Sequence, residues 1–433
     1  MSITFNKKQQ QVINELNQNI LLSAGAGTGK TNVLSYRAAN ILNKNRANAD
    51  EILCLTFTNK ACRELKNRIT SQLDFETANK ITIRTIHGFA YQVITTTAKK
   101  AQTIFKEFVI FDDEDQKTLI RQTIANFPKA RALDIQYIVN CIEQLKQERA
   151  LKHIYTEDIE ADYTTIYHQH LKFNKTFNQQ QNDNLTKFFQ FDGLNIIINY
   201  ELALQQMHGL DYKDLIANAY RLFQDENICL SWRKRYKYIM IDEMQDTSSF
   251  EYTMLENLFP ANNIMLCGDE FQTIYEWRGS NPQKILTAFT EKYNPLIINF
   301  NENYRSTRLL LEMAYNTLIN LFRKETISHS YAKNLLSKSS ELGHKIELKQ
   351  ANSLANEAQW IFQNIVNLLP LVKIPTQIAI LVRQNNYLQN LTLHLNYLAN
   401  IYNQKNQETP INFIQIDNIR FFKRQEIKDV LSI

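Results

Sequence analysis

The chain has 433 residues, which is long enough for two or three domains rather than one small one. Its 44% hydrophobic and 21% charged residues are ordinary for a globular protein and exclude wholesale disorder. A net charge of +5 is compatible with a polyanionic partner, and no apolar run approaches the roughly 20 residues that a membrane span needs, so we expect no membrane partner.

The five cysteines are scattered along the chain and form no CxxC pair, so they indicate neither a disulfide framework nor a zinc site. The first ten residues contain no apolar segment of the kind that a secretory signal has. Together these features predict a cytoplasmic protein in a reducing environment.

Short β-branched runs alternate with amphipathic stretches along the chain, which is typical of a parallel α/β sheet. The predicted strands, in chain order, are Asn19 to Ser23, Glu51 to Thr56, Thr82 to Arg84, Tyr238 to Asp242, Asn263 to Cys267, Leu296 to Phe300 and Gln377 to Val382. Between about Thr96 and Met207 the chain is rich in Gln, Lys, Asn and Ile and has almost no glycine. This stretch predicts an inserted helical subdomain that interrupts the sheet.

A glycine-rich loop follows the first predicted strand and precedes an amphipathic helix that begins near Asn32. Glycines let such a loop fold tightly, so that its backbone N–H groups and the positive end of the following helix face a phosphate. In this motif the lysine reaches the β- and γ-phosphates of a nucleotide, and the threonine hydroxyl binds Mg²⁺. The context disfavours a plain turn, so we predict an ATP-binding loop formed by Ala24, Gly25, Ala26, Gly27, Thr28, Gly29, Lys30 and Thr31.

The predicted strand from Tyr238 to Asp242 ends in acidic residues, as a nucleotide site with Mg²⁺ requires. Asp242 stands at the carboxyl end of this strand, beside the loop, where it is predicted to bind the metal. Glu243 is then placed to polarise an attacking water as the general base. Asp246 is also compatible with a simple capping role for the helix that follows.

The sequence Asp-Glu-Met-Gln-Asp at 242–246 is similar to motif II of the superfamily 1 DNA helicases of the UvrD/Rep/PcrA branch. Further segments resemble that family in the expected order. They are 5–9 for the Q-motif, 55–61 for motif Ia, 85–88 for motif Ib, 211–216 before motif II, 268–279 for motif III, 303–307 for motif IV and 420–429 before the family's large insertion. The resemblance therefore spans nearly the whole chain and implies a P-loop RecA-like parallel sheet as its core.

The resemblance implies roles for residues around the ATP-binding loop. Gln9 reads the adenine, and Tyr304 stacks on it. Gln272 senses the γ-phosphate and couples it to DNA, and Arg305 brings positive charge to the γ-phosphate. From the residues alone, a surface ion pair for Arg305 and a core-rim aromatic ring for Tyr304 are equally compatible alternatives.

A track for single-stranded DNA, or a junction of single- and double-stranded DNA, is also implied. Exposed aromatic rings at strand ends offer faces on which bases of any sequence stack, and cations contact the phosphates. The alternatives are that the rings fill the core and that the histidine is hydrogen-bonded within the fold. The candidate DNA-binding residues are Phe57, Asn59, His87, Tyr275, Trp277 and Arg278.

The resemblance divides the chain into three parts. Residues 1–95 and 208–284 form an ATP-binding RecA-like domain, 96–207 form the helical insertion, and 285–433 form part of a second RecA-like domain. We also expect motifs V and VI of the family to lie outside the chain, in a further C-terminal region or a protein partner.

Three functions are compatible with these features. The first is an ATP-dependent, 3′→5′ DNA helicase and translocase, and the second is a module that binds ATP and DNA without unwinding. The third is a regulatory subunit whose ATP site serves assembly. Lys30, Asp242, Glu243, Gln272 and Arg305 favour chemistry over a pure scaffold, whereas a motor without motifs V and VI favours the second function for the isolated chain.

Overall fold

The structure is a computed structural model that describes residues 4–97, 107–156, 158–172, 179–274, 279–321, 335–372, 374 and 378–415. The chain forms two compact units, residues 1–344 and residues 345–433. Within the described ranges no helix has both the length and the apolar character to cross a lipid bilayer.

The described part of the first unit contains ten strands. They are β1 (Ile20–Ala24), β2 (Ile52–Thr56), β3 (Thr82–Thr85), β4 (Val109–Phe111), β5 (Gly209–Asp211), β6 (Tyr238–Ile241), β7 (Asn263–Gly268), β8 (Leu296–Phe300), β9 (Glu302–Asn303) and β10 (Leu336–Ser337). Six of them form a parallel sheet in the order β3-β2-β6-β7-β1-β8. The predicted parallel α/β sheet is confirmed, and its six predicted strands agree with the observed ones to within one residue at each end.

The described residues also contain seventeen α-helices. Those of the first unit are α1 (Lys7–Asn14), α2 (Lys30–Asn43), α3 (Asn59–Thr70), α4 (Phe75–Lys80), α5 (Ile86–Thr97), α6 (Asp113–Ile124), α7 (Ile135–Leu151), α8 (Ile159–Lys172), α9 (Gln179–Gln190), α10 (Gly193–Gln206), α11 (Tyr212–Leu222), α12 (Glu226–Arg235), α13 (Ser249–Glu256), α14 (Pro282–Tyr293) and α15 (Arg308–Leu321). The second unit contains α16 (Leu354–Leu368) and α17 (Asn385–Lys405).

Helices cover both faces of the parallel sheet. Ile20 and Leu22 of β1 pack into one hydrophobic core with α1, α2 and α3, whereas Leu21 packs into another core with α5, α11 and α13. Because side chains alternate along a strand, a sheet covered on both sides needs continuous apolar strands. The strands β2 and β6 are accordingly buried at every position.

Parallel strands bring their carboxyl ends to one edge of the sheet, and that edge carries the polar residues of interest. The glycine-rich loop follows β1, Asp242 follows β6, and Asp269 follows β7. Since β7 lies between β6 and β1, these three chain segments are neighbours.

The predicted helical insertion is confirmed for its described residues, where α6 to α10 surround a separate hydrophobic core. A buried ion cluster joins this insertion to α11. Lys146 of α7 is only 2% exposed, and its Nζ lies 2.7 Å from carboxylate oxygens of Asp211, Asp214 and Glu201. The short parallel pair β4–β5 at the same junction was not predicted.

The prediction of a strand from Gln377 to Val382 is wrong for the residues that the structure describes. Residues 378–382 have no regular secondary structure, although Ile378, Ile380 and Val382 pack against the core between α16 and α17. Every second side chain of this segment is therefore partly buried, as in a strand, although the backbone forms no strand. A strand also needs a neighbouring strand, and the described part of the second unit provides none.

The predicted domain boundaries stay a prediction. The strand β8 lies beyond residue 284, yet it pairs with β1 in the first sheet.

Candidate active site

The glycine-rich loop between β1 and α2 adopts a conformation that two of its glycines make possible. Gly27 has φ of +77° and Gly29 has φ of +88°, in the left-handed region that side chains disfavour. A Cβ atom added to Gly27 would also lie 2.7 Å from Cβ of Arg305. The loop therefore needs glycine at this position for two independent reasons.

The segment after β8 holds the loop from one side. The Asn303 side-chain amide donates to the Ala26 carbonyl at 2.7 Å, and the Tyr304 N–H donates to the Gly27 carbonyl at 2.8 Å. Asn303 Oδ1 in turn accepts the backbone N–H of Arg305 at 2.9 Å. The buried Asn303 side chain thus links the loop to the backbone of the predicted arginine.

Gln9 of α1 holds the loop at a second point. Its side-chain amide donates to the Thr28 carbonyl at 3.0 Å, and Gln9 is itself buried. Because the C=O and N–H of a trans peptide point in opposite directions, this bond orients the N–H of Gly29 away from Gln9. The carbonyls of Ala26, Gly27 and Thr28 therefore accept hydrogen bonds from protein groups, while the Gly29 N–H lies on the opposite side of its peptide.

Lys30 begins α2 and is 8% exposed. Its Nζ lies 3.2 Å from Oε2 of Glu243, at the end of β6. Burial disfavours the charge on Lys30, but the nearby groups of Cys267, Glu243 and Asp242 outweigh it and raise the pKa of the amine. Lys30 is therefore a buried, protonated cation at the point where the loop joins α2.

Glu243 has an unusual backbone for a residue with a side chain. Its φ of +54° and ψ of +45° are left-handed, a conformation that costs roughly 1–2 kcal/mol for such residues. Its carboxylate accepts from the Gln245 side-chain amide at 2.7 Å as well as from Lys30. Such local strain is concentrated at functional sites, so the conformation supports a functional role for Glu243.

Asp242 is a buried carboxylate that suits a divalent cation. Burial and, next, the charge of Glu243 raise its pKa to about 6. The described residues include no group of three or more His, Cys, Asp or Glu side chains that could hold a metal alone. A Mg²⁺ ion bound by Asp242 would therefore take further oxygen ligands from the Thr31 hydroxyl, from water and from substrate phosphates.

These residues surround one cavity of about 500 Å³, within the size range of small-molecule sites. Three other predicted site residues, Ala24, Thr28 and Asp242, are buried and are not part of the cavity lining. The predicted site residues that line the cavity are Gln9, Gly25, Ala26, Gly27, Gly29, Lys30, Thr31, Glu243, Gln272, Tyr304 and Arg305. The structure thus brings the two ends of the first unit's sequence together at one site, while the individual roles stay predictions.

Gln272 connects the cavity to the segment after β7. Its side-chain amide donates to Asp269, whose backbone N–H donates to Gln245 Oε1 at 3.0 Å. The Thr273 hydroxyl donates to the Gln245 carbonyl at 2.8 Å. Gln245 therefore joins the carboxyl ends of β6 and β7, two residues from Glu243.

Sequence reasoning missed several residues that line the same cavity, among them Arg68 and Glu64 of α3. Arg68 NH2 lies 2.6 Å from Glu64, and Arg68 NH1 donates to Asn32 Oδ1. In the sequence, Glu64 and Arg68 show only the four-residue spacing of an ordinary surface ion pair. Packing of α3 beside α2 places this guanidinium at the cavity.

The candidate DNA-binding residues lie at the carboxyl ends of two neighbouring strands, as far as they are described. Phe57 follows β2 and is half-buried, and the exposed Asn59 begins α3. His87 follows β3 in α5, with its Nδ1 3.6 Å from Glu251. The predictions for Tyr275, Trp277 and Arg278 lie outside the described residues.

Two protein-family models match the chain. The UvrD/REP helicase N-terminal domain matches residues 5–294, and the UvrD-like helicase C-terminal domain matches residues 298–433. The expectation that motifs V and VI lie outside the chain finds no support in these matches.

Several curated proteins are similar in sequence. A probable DNA helicase II homolog of Mycoplasma capricolum is 29% identical over 99% of this chain and 54% of its own length. The corresponding protein of Mycoplasma genitalium is 31% identical over 88% of this chain and 52% of its own length. The ATP-dependent DNA helicase PcrA of Staphylococcus epidermidis is 29% identical over 99% of the chain and 53% of its own length. The chain spans about half the length of these relatives, and it belongs to the UvrD/REP helicase family.

Proposed function

We propose that this protein is an ATP-dependent DNA helicase of the UvrD type, which hydrolyses ATP with Mg²⁺ while it moves 3′→5′ on single-stranded DNA. The observation that carries the proposal is the convergence of Lys30, Glu243, Gln272 and Arg305 on one cavity formed by the glycine-rich loop. The helicase names of similar proteins support it.

At the phosphate end of the cavity, Lys30 is the cation for the β- and γ-phosphates. Glu243 accepts a proton from the attacking water at its carboxylate, which Lys30 and Gln245 already orient. When Mg²⁺ is bound by Asp242 and Thr31, it neutralises charge on the phosphates. Arg305 adds positive charge where negative charge develops in the transition state.

At the other end of the cavity, Gln9 and Tyr304 bind the adenine base. Gln9 reads the base with its amide, and the ring of Tyr304 stacks on it. Tyr304 is 47% exposed and lines the cavity, so its ring is accessible to a ligand.

Single-stranded DNA binds along the carboxyl edge of β2 and β3. We assign base stacking to the rings of Phe57, Tyr275 and Trp277. We assign polar contacts with DNA to Asn59, His87 and Arg278. Gln272 lines the cavity and precedes Tyr275 and Trp277 by only a few residues in the chain. This closeness in sequence supports coupling between DNA binding and the γ-phosphate. In domain terms, 1–95 with 208–284 form the ATP-binding RecA-like domain, 96–207 form the insertion, and 285–433 belong to the second RecA-like domain. The strand β8 is the exception, because it pairs with β1 in the first sheet.

Directional movement tests this proposal. Streptavidin bound to a biotin at the 5′ end of a single-stranded oligonucleotide is displaced by a 3′→5′ translocase, whereas streptavidin at the 3′ end is not. We expect ATP-dependent displacement from the 5′ end in the protein that contains this chain. Displacement from the 3′ end would contradict the polarity, and displacement from neither end would contradict translocation.

A further inference from the structure

A single carboxylate, that of Glu302, ties the start of the chain to Tyr304. Glu302 Oε2 accepts from the Asn6 side-chain amide at 2.8 Å and from the Tyr304 hydroxyl at 2.6 Å. The Asn6 side-chain amide also donates to the Tyr304 hydroxyl at 3.0 Å. The second oxygen of Glu302, Oε1, lies 3.0 Å from Nζ of Lys338. These hydrogen bonds, that from Tyr304 first, hold the pKa of Glu302 below its ordinary value, so the group stays ionised at neutral pH.

These contacts fix the aromatic ring of Tyr304 at both of its ends. The Tyr304 backbone N–H is bonded to the Gly27 carbonyl at 2.8 Å, and its hydroxyl is bonded to Glu302. A ring that is held only through its backbone keeps rotational freedom about its side-chain bonds. With the hydroxyl held as well, the ring keeps one orientation beside the cavity.

The same carboxylate also orients Gln9, through Asn6. Asn6 caps helix α1 in a reciprocal arrangement: its Oδ1 accepts the Gln9 N–H at 2.8 Å, and its own N–H donates to Gln9 Oε1 at 3.0 Å. The side-chain NH2 group of Asn6 donates to Glu302. Glu302 therefore contacts Tyr304 directly and is linked to Gln9 through Asn6.

We propose that Glu302 is a positioning residue for the nucleotide base: it holds the Tyr304 ring and the Asn6–Gln9 cap in one arrangement, and thereby sets the affinity for the base rather than for the phosphates. This inference rests on the proposed function, because it takes the occupant of the cavity to be ATP. Preorganised contacts raise affinity because ordering them costs nothing further at the moment of binding.

Two probes separate the base from the phosphates. Mg·ATP and Mg·tripolyphosphate are each titrated into the wild type and into Glu302→Ala, and the two dissociation constants are compared. We expect Glu302→Ala to weaken ATP about tenfold, the lower range of a lost base-stacking contact, and to leave tripolyphosphate unchanged. The matched control is Glu256→Ala, whose carboxylate has the same 23% exposure and pairs with Lys292 at 3.1 Å, but lies outside the cavity lining.

The Tyr304→Phe variant removes only the hydroxyl that Glu302 holds, and it keeps the ring. We expect it to weaken ATP without affecting tripolyphosphate. The double variant Tyr304→Phe/Glu302→Ala should be less impaired than the sum of the two single losses, because both substitutions break one shared contact. The Tyr304→Phe variant alone, titrated with both probes, still tests the inference if Glu302→Ala folds poorly.

The outcomes distinguish this inference from the proposed function. Equal losses for ATP and tripolyphosphate in Glu302→Ala would overturn the inference, because Glu302 would then act on the loop as a whole. Unchanged ATP affinity would overturn it too. A wild type that binds neither probe would overturn the proposed function, and with it this inference.

Discussion

Nζ of Lys30 lies 3.2 Å from Oε2 of Glu243, and this ion pair joins the loop after β1 to the carboxyl end of β6. The lysine side chain is 8% exposed, whereas a third of the glutamate side chain is exposed, and both residues line the cavity. A cation for phosphates and a base for water are therefore held next to each other by two non-adjacent strands.

Lys30→Ala should weaken Mg·ATP binding by roughly 10- to 100-fold, because a charge-assisted contact to phosphate is lost. Titration with a fluorescent ATP analogue measures this loss, and far-UV circular dichroism checks the fold. The matched control is Lys44→Ala, an exposed lysine just after the end of the same helix, which should bind as the wild type does. Unchanged affinity in Lys30→Ala would refute the phosphate-binding loop.

Gly27→Ala should impair nucleotide binding more than Gly279→Ala does. Both glycines have positive φ, so both substitutions strain the backbone by about 1–2 kcal/mol. At Gly27 the added Cβ also collides, 2.7 Å from Arg305 Cβ, whereas no described residue lies within 4 Å of a Cβ added at Gly279. The ATP titration compares the two variants, and equal affinities would show that the contact with Arg305 is unimportant for the loop.

Lys146→Met should lower the free energy of unfolding by about 3–5 kcal/mol, because it leaves buried carboxylates without their cation. Three carboxylates lie 2.7 Å from this lysine. Lys117→Met is the control, since its pair with Glu114 is at the surface and contributes little. Urea unfolding measures both variants. A loss in Lys146→Met as small as that in Lys117→Met would show that the ion cluster does not stabilise the junction with the insertion.

Asp246→Asn should raise the free energy of unfolding relative to the wild type, and this gain should grow as the pH rises. Burial and, next, Glu243 raise the pKa of Asp246 to about 6 from the ordinary 3.8, and its Oδ1 is buried without a hydrogen-bond partner among the described residues. The folded state therefore binds more protons than the unfolded state between those two values, so the wild type loses stability as pH rises through that window.

The expected gain of the variant over the wild type, between about pH 4 and about pH 7, is about 1 kcal/mol after discounting for the partial exposure of Asp246. Urea unfolding at several pH values measures it. A gain that does not depend on pH would mean that Asp246 titrates normally in the fold.

The sequence predicted most of what is local. The glycine-rich loop and Asp242 each follow a run of apolar residues that predicts a strand. Both predicted strands are present in the structure, as β1 and β6 of the parallel sheet. Contacts between distant segments could not be predicted. No sequence pattern shows that the Asn303 amide donates to the Ala26 carbonyl, or that Arg68 lines the cavity while it pairs with Glu64.

The backbone conformation of Glu243 could not be predicted from the sequence either. The positive φ of Glu243 goes against the local preference of a residue with a side chain, so it arises from the surrounding fold. The failed strand at residues 378–382 has the opposite cause. There the local apolar alternation is typical of a strand, but strand formation also depends on a partner strand elsewhere in the chain.

The rate of ATP hydrolysis with and without single-stranded DNA, in the wild type and in Glu243→Gln, tests the central claim most directly. Glutamine keeps the shape of the side chain and removes the base, so ATP should bind normally while hydrolysis falls at least ~100-fold. We expect single-stranded DNA to stimulate hydrolysis in the wild type of the protein that contains this chain, and to restore none in Glu243→Gln. Wild-type turnover in that variant, or hydrolysis indifferent to DNA, would contradict an ATP-driven DNA motor built on this site.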